Sequence, residues 1–520
     1  MTLLPPIPRR FFIGGSAALV AAPALAPLAA RAAEGKSLTI GVQDNLTGLD
    51  PADLNDNLSL SACRTMFQGL YGFDKDMKLI PALAESYTAN DAATEFTFKL
   101  QSNVVFHDGT PFNAAAVKFS LERLANPENK LKRASLLSML DHVDALDDHT
   151  VKIVLKTPFG AFVPTVAHPA LMIVSPAAVA KYGRDFNRNP VGTGPFKFVS
   201  WSADTLKVER NDKFWRAGYP KLNAVTFRSV PENGARLAML QTGEAQFIYP
   251  LPPELIRVVE RNQNISVINN PSIYARYVAM NVTKKPFGDP RVRQALNYGI
   301  DKAAFAKIVW SGYEDPLDSP LPPNLAFYQK QGSYPYDLAR AKKLLADAGV
   351  GEGFTTEMWA NNNSINQRGL QFMQQQFGNL GIKLTVTPLE AALLQQKIFT
   401  VPSAEESQLQ TYLGAWSAST GDADWGLRPL FWSKGAPPRL FNVGYYKNDE
   451  VDAAIEGGLG TADASKRGGF YAQAQKLIWE DAPWIFLGVD RNLAGQAKTL
   501  AGVYQMPDSQ LLIEEGSFSA

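Results

Sequence analysis

The sequence predicts a mixed α/β protein made of at least two globular parts, and three observations lead there. The chain has 520 residues, too many for one compact core. Residues 37–43 (SLTIGVQ) alternate Leu38, Ile40 and Val42 with small or polar residues, the two-residue period of a half-buried strand. In the second half, segments of helical period alternate with segments of strand period, which implies a sheet covered by helices.

The first 33 residues belong to a different class. Arg9 and Arg10 precede a run rich in Ala, Leu, Val and Phe over residues 11–30, without one acidic residue. Ala30-Arg31-Ala32 then supplies the small-x-small pattern of a signal-peptidase site. A membrane anchor is the rival reading, but Gly14, Gly15, Pro23 and Pro27 interrupt the run. PRRFFI at 8–13 resembles a twin-arginine export signal, with an ordinary secretory signal as the alternative. Either way a cleaved signal and a periplasmic destination are expected. Without residues 1–33 the chain keeps 48 basic and 50 acidic residues, a formal charge of −2. That balance argues against a nucleic-acid partner, which needs a basic footprint. No later stretch is apolar enough over sufficient length to span a bilayer. Cys63 is the only cysteine, so an internal disulfide is excluded.

Along the rest of the chain, a polar loop at 44–57 leads to a helix carrying Leu60, Met66 and Phe67. Residues 96–100 and 104–106 read as strands, and Asp108-Gly109 as a turn. Asn113 is placed to cap a helix bearing Val117, Leu121 and Leu124; Val151, Ile153 and Leu155 alternate as a strand. Asp289 before Pro290 marks a helix start, with Val292, Ala295 and Leu296 on one face. Asp337 begins another helix with Ala341, Leu344, Leu345 and Ala348 inward, and Gly349 stops it. A Gln-rich helix around 371–377 precedes Gly381 and a strand at Ile382, Leu384 and Val386. No repeat and no long linker is present, so short crossovers are expected between the parts.

Catalytic and cofactor signatures are missing. The four histidines, His107, His142, His149 and His168, form no metal-spaced pair. His142 and His149 lie among Asp141, Asp144, Asp147 and Asp148, a pattern that reads as a solvated acidic surface. There is no nucleophile elbow and no P-loop. Gly192-Thr193-Gly194-Pro195 reads as a rigid turn, not a dinucleotide loop. Cys63 beside Arg64 reads as a buried helix cysteine in preference to an activated thiol. No metal, no cofactor and no enzymatic activity are expected.

A set of ordered fragments carries a resemblance. They are GLDP at 48–51, FQGLY at 67–71, PALAES at 81–86, VFHDGTPF at 105–112 and VGTGPF at 191–196. RNDKFW at 210–215, GYPKLN at 218–223, ARLAMLQTGE at 235–244, DPRVRQAL at 289–296 and DAPWI at 481–485 continue the series. Together they resemble the peptide-binding branch (family 5) of the periplasmic solute-binding proteins of ABC importers. Residues 275–302, 416–431 and 437–442 are most similar to the glutathione-binding subgroup of that family.

The resemblance implies a bilobal periplasmic-binding-protein fold (type II, cluster C-like) with an extra subdomain inserted in lobe one. Lobe one would be residues 34–279 plus 491–520, and lobe two 280–490. It also implies a monomeric receptor that closes over glutathione or a dipeptide and delivers it to the permease subunits of an inner-membrane ABC importer. Alternatives are a receptor for oligopeptides, an oligosaccharide or a metal chelate, or an exported peptide hydrolase.

Site residues follow from the same resemblance. In peptide-binding relatives a tryptophan is followed three residues on by an aspartate that holds the ligand ammonium. Here Trp416 matches the tryptophan and Ser419 stands where the aspartate would be. Asp422 is a substitute carboxylate, or the cap of the segment that follows. Ser417 and Ser419 can donate to a carboxylate, and Arg276 and Arg368 are the candidate cations for a ligand with more acids than amines, or else surface ion-pair partners.

Overall fold

The computed structural model describes residues 36–519, so the export-signal expectation for residues 1–33 lies outside the described residues. Their main feature is one eleven-stranded mixed sheet. Its path runs Lys383–Leu389, Thr355–Asn361, Thr411–Ser417, Ile265–Met280, Trp484–Ala497, Phe247–Tyr249, Leu38–Val42, Ala224–Ser229, Thr205–Arg210, Phe196–Trp201, with Glu314–Pro316 paired to Trp484–Ala497 off this path. At one end Thr355–Asn361 pairs in parallel with both of its neighbours. At the other, Leu38–Val42 is parallel to Phe247–Tyr249 and Ala224–Ser229. Between them Ile265–Met280 and Trp484–Ala497 run antiparallel, with register shifts between Pro271 and Ala275 and between Arg276 and Tyr277. These two strands are about three times the usual strand length.

The apolar residues sort along this sheet. Leu38, Ile40, Phe67, Phe196, Phe227 and Phe247 pack into one core. Val278, Val292, Phe305, Met358, Phe377, Ile485 and Leu487 form another. The largest core joins Ile273, Trp484 and Phe486 to a separate four-stranded antiparallel sheet: Ala84–Ala89, Glu95–Leu100, Thr150–Leu155 and Leu140–Asp147. Gly160 of that region donates its N–H to Leu459 O at 2.8 Å. A Cβ on Gly160 would collide with the Thr461 carbonyl, so only glycine allows this approach.

Local capping chemistry sets the helix starts. Asn113 accepts from Ala116 N and opens Ala114–Ala125; Asp289 accepts from Arg291 N and opens Pro290–Gly299. Asp337 accepts from Arg340 N and opens Leu338–Asp347, after which Gly349 adopts φ +77°. The 104–106 expectation is corrected. Only Val105 bridges to Pro111, because the chain turns back at Asp108-Gly109 before a ladder can grow. Among the described residues no helix is long and apolar enough to cross a membrane. The two ends of the described chain meet: Lys36 Nζ donates to Ser519 O at 2.9 Å and lies over the Phe518 ring.

Candidate functional site

Four of the six sequence-predicted residues lie around the 411–417 strand. Tyr274 pairs with Ser417, Ala275 with Trp416 and Arg276 with Ala415. Because side chains alternate along a strand, Tyr274, Arg276 and Ser417 share one face while Trp416 points to the other. On its face Trp416 packs against Trp425 and Phe441 and donates Nε1–H to Trp425 O at 2.7 Å. It borders a crevice of about 10 Å3, beside Leu321, Leu325, Leu430 and Trp484. Filling the core accounts for all of these contacts.

Arg276 is held by a two-pronged ion pair with Asp490, at 2.6 and 2.7 Å, and stacks on the Trp310 ring. Asp422 accepts from Asp424 N as the cap of Ala423–Phe431, and Arg467 Nη2 donates to it at 2.7 Å. Burial raises the Asp422 pKa while Arg467 opposes the rise. Both charges are thus occupied inside the fold. Ser419 is half-buried in the turn after the strand. Arg368 is exposed on Ser364–Asn379, whose Gly369 faces Leu413 of the 411–417 strand, and donates to Val309 O at 3.2 Å.

The polar face leads to residues that the sequence does not single out. Asn57 Nδ2 donates to the Tyr274 hydroxyl at 2.7 Å and to Asp508 O at 2.8 Å. Arg64 Nε donates to Gln510 Oε1 at 2.7 Å, and Ser61 Oγ accepts from Leu511 N at 3.1 Å. The helix Asn57–Met66 therefore lays Asn57, Ser61 and Arg64 along the C-terminal segment, at the i, i+4, i+7 spacing of one helical face. Ser417 Oγ, Arg64 Nη2, Asp508 Oδ2 and Gln510 Nε2 are buried on or beside this run without a partner among the described residues. Unmet groups in such number are unusual inside a protein. Burial raises the Asp508 carboxyl pKa, with Arg64 opposing, and pushes the Tyr274 phenol up to about 12.

Arg64 also lines a cavity of about 500 Å3. Its walls are the helix Asn57–Met66, the hairpin of Tyr71–Phe73 and Leu79–Pro81, Trp215 and the 511–515 segment. None of the six sequence-predicted residues lines it. One signal was available: Arg64 is the sole charged residue of its ten-residue helix.

Cys63, next to Arg64 on the same helix, is fully buried, and burial raises its thiol pKa. His142 is exposed between Asp141 and Asp144. Among the described residues no cluster of metal-ligating side chains occurs.

This frame is that of a solute-binding protein. The bacterial extracellular solute-binding proteins, family 5 (middle region), match residues 78–437, and the chain belongs to that family. Glutathione-binding protein GsiB of Pectobacterium atrosepticum is 46% identical over 517 residues, covering 99% of both chains. The protein of the same name from Escherichia coli K12 is 44% identical over 494 residues, covering 95% of this chain and 96% of its own. Among solved structures, HbpA2 of Haemophilus parasuis superposes with a TM-score of 0.84 at 25% identity, covering 93% of this chain and all of its own. The periplasmic binding protein DppA of Helicobacter pylori, in complex with the peptide STSA, gives 0.76 at 25% identity, covering 92% of this chain and 98% of its own.

Proposed function

We propose that the protein is a periplasmic receptor that captures glutathione, or a peptide of similar size, and delivers it to an inner-membrane ABC importer. The half-buried polar run from Ser417 through Tyr274 and Asn57 to Arg64, with the buried Asp508 beside it, carries this reading. Its unpartnered donors and acceptors suit a small, highly polar ligand that meets them on entering. The near-full-length likeness to two glutathione-binding proteins supports the ligand, and the structural likeness to a peptide-bound DppA supports the peptide class.

In this reading the protein is a monomeric binding protein and not an enzyme, exported by a cleaved N-terminal signal of the twin-arginine kind. Residues 34–279 with 491–520 act as one lobe and 280–490 as the other. The lobes hinge where the two long strands change register, near Arg276 and Gly488. Calorimetric titration with glutathione and with Ala-Ala tests the ligand: glutathione is expected to bind and to bind tighter, and no heat with glutathione sinks the proposal. Small-angle scattering with saturating glutathione should show a smaller radius of gyration. Peptide cleavage products by mass spectrometry would overturn the non-enzymatic reading.

A further inference from the structure

We infer that the loop carrying Gly160 is the catch that holds the two lobes shut over a ligand, by docking on the C-terminal end of the helix Asp449–Leu459. On the two-lobe receptor reading proposed above, on which this rests, Gly160 belongs to lobe one and residues 449–461 to lobe two. The last carbonyls of a helix have no partner within it. Here the Gly460 N–H donates to Glu456 O and Gly457 O, and Arg467 Nε donates to Gly458 O. The Leu459 carbonyl is taken by the Gly160 N–H at 2.8 Å. A group from lobe one thus completes the end of a lobe-two helix. The loop around it is buried at Phe159, Ala161 and Phe162, and Arg428 of lobe two lies over the Phe159 ring, 5.5 Å from its centroid. A second contact joins the lobes at the turn after the 411–417 strand, where Gly421 lies against Phe73 and Met77. Neither contact involves the two long strands at which the chain crosses between the lobes, so rotation about those strands parts both.

Steric detail separates this catch from an ordinary packing contact. A Cβ on Gly160 would stand 2.0 Å from Thr461 O, 3.0 Å from Gly458 O and 3.1 Å from the Thr461 carbonyl carbon. All three atoms are backbone, and all three belong to lobe two. Gly160 is not at positive φ, so its own backbone accepts an alanine without strain. A methyl here therefore meets its nearest obstacles only when the lobes are shut. It opposes closure and leaves the folding of lobe one alone.

The test compares wild type, Gly160→Ala and a control, Gly378→Ala, each as the full mature chain with glutathione. Gly378 is a helix glycine at which an added Cβ would meet nothing within 4 Å. Gly160→Ala is expected to melt as wild type does and to bind glutathione about 10-fold or more weakly, mainly through faster dissociation. With saturating glutathione its radius of gyration should stay larger than that of liganded wild type. Gly378→Ala should match wild type in all three respects. In wild type, glutathione should slow hydrogen exchange of the Gly160 amide, because only the shut form gives that N–H its acceptor. Exchange that glutathione leaves unchanged overturns the inference, and this measurement decides alone if Gly160→Ala does not fold. A folded Gly160→Ala that binds and contracts like wild type overturns it as well. Wild type that takes up no glutathione overturns the functional reading itself, and this inference with it.

Discussion

Arg276 grips Asp490 through Nε and Nη2 at 2.6 and 2.7 Å, tying the Ile265–Met280 strand to Trp484–Ala497 beside a break in their register. Both side chains are about 15% exposed, at 16% and 14%, and burial alone raises the Asp490 pKa against the pull of Arg276. Removing one partner strands the other. Arg276→Ala is expected to cost about 3–5 kcal/mol in urea unfolding. A stability close to wild type with a large loss of glutathione affinity would instead mark Arg276 as a ligand anchor.

Glu314 faces the same pair. Its carboxyl lies against Gly488, with Oε1 unpartnered among the described residues, and it is 5% exposed. Burial first, and Asp490 second, raise its pKa well above the usual carboxylate range. A raised acid contributes stability below its unfolded pKa and loses it as pH climbs through the folded value. Glu314→Gln should therefore gain stability over wild type at neutral pH, with the difference vanishing at about pH 4 or below. Melting curves across that range check it; a variant less stable at pH 7 contradicts it.

His107 has the opposite sign. Its Nε2 donates to Gly194 O at 3.0 Å, and Nδ1 faces the Gly192 N–H at 3.4 Å, so the neutral tautomer is fixed. Burial lowers its pKa to about 4. The stability this adds is full above about pH 6.5 and is lost as pH falls through 4. The loss amounts to about 3 kcal/mol at most. His107→Gln should flatten the unfolding profile between those limits.

Gly194 explains why the 192–195 turn is rigid. Its N–H donates to Met66 O at 2.9 Å, and a Cβ there would stand 2.5 Å from the Met66 carbonyl carbon, which is backbone and cannot swing aside. Gly194→Ala should lower stability by about 1–3 kcal/mol, measured by urea unfolding. An unchanged midpoint would mean that the helix end yields freely.

Ser419 tests the charge logic of the ligand. With an aspartate at this half-buried turn, a carboxylate-rich ligand meets a like charge. Ser419→Asp is expected to weaken glutathione binding by about 1–3 kcal/mol and to favour Ala-Ala. Two unchanged affinities would place Ser419 away from the ligand.

What was legible in the sequence is what local chemistry decides. Asn113, Asp289 and Asp337 cap the helices they were expected to cap, because a cap and its N–H lie within three residues. The Gln-rich helix and the strand after Gly381 stand where periodicity put them, with the strand opening at Lys383 in place of Ile382. The fates of the charges were not legible. Arg276 finds Asp490 across 214 residues, Arg64 finds Gln510 across 446, and Asp422 finds Arg467 across 45. A candidate anchor and a structural ion pair look alike until the chain is folded.

The contact between Lys36 and Ser519 means that the described chain is nearly a closed loop. A short Gly/Ser linker would span the gap, and new ends at the exposed pair Gly351-Glu352 would interrupt neither a helix nor a strand. Such a permuted protein would keep every sheet partner, including both long strands. A reporter domain inserted at the original ends, by contrast, would have both of its connections side by side.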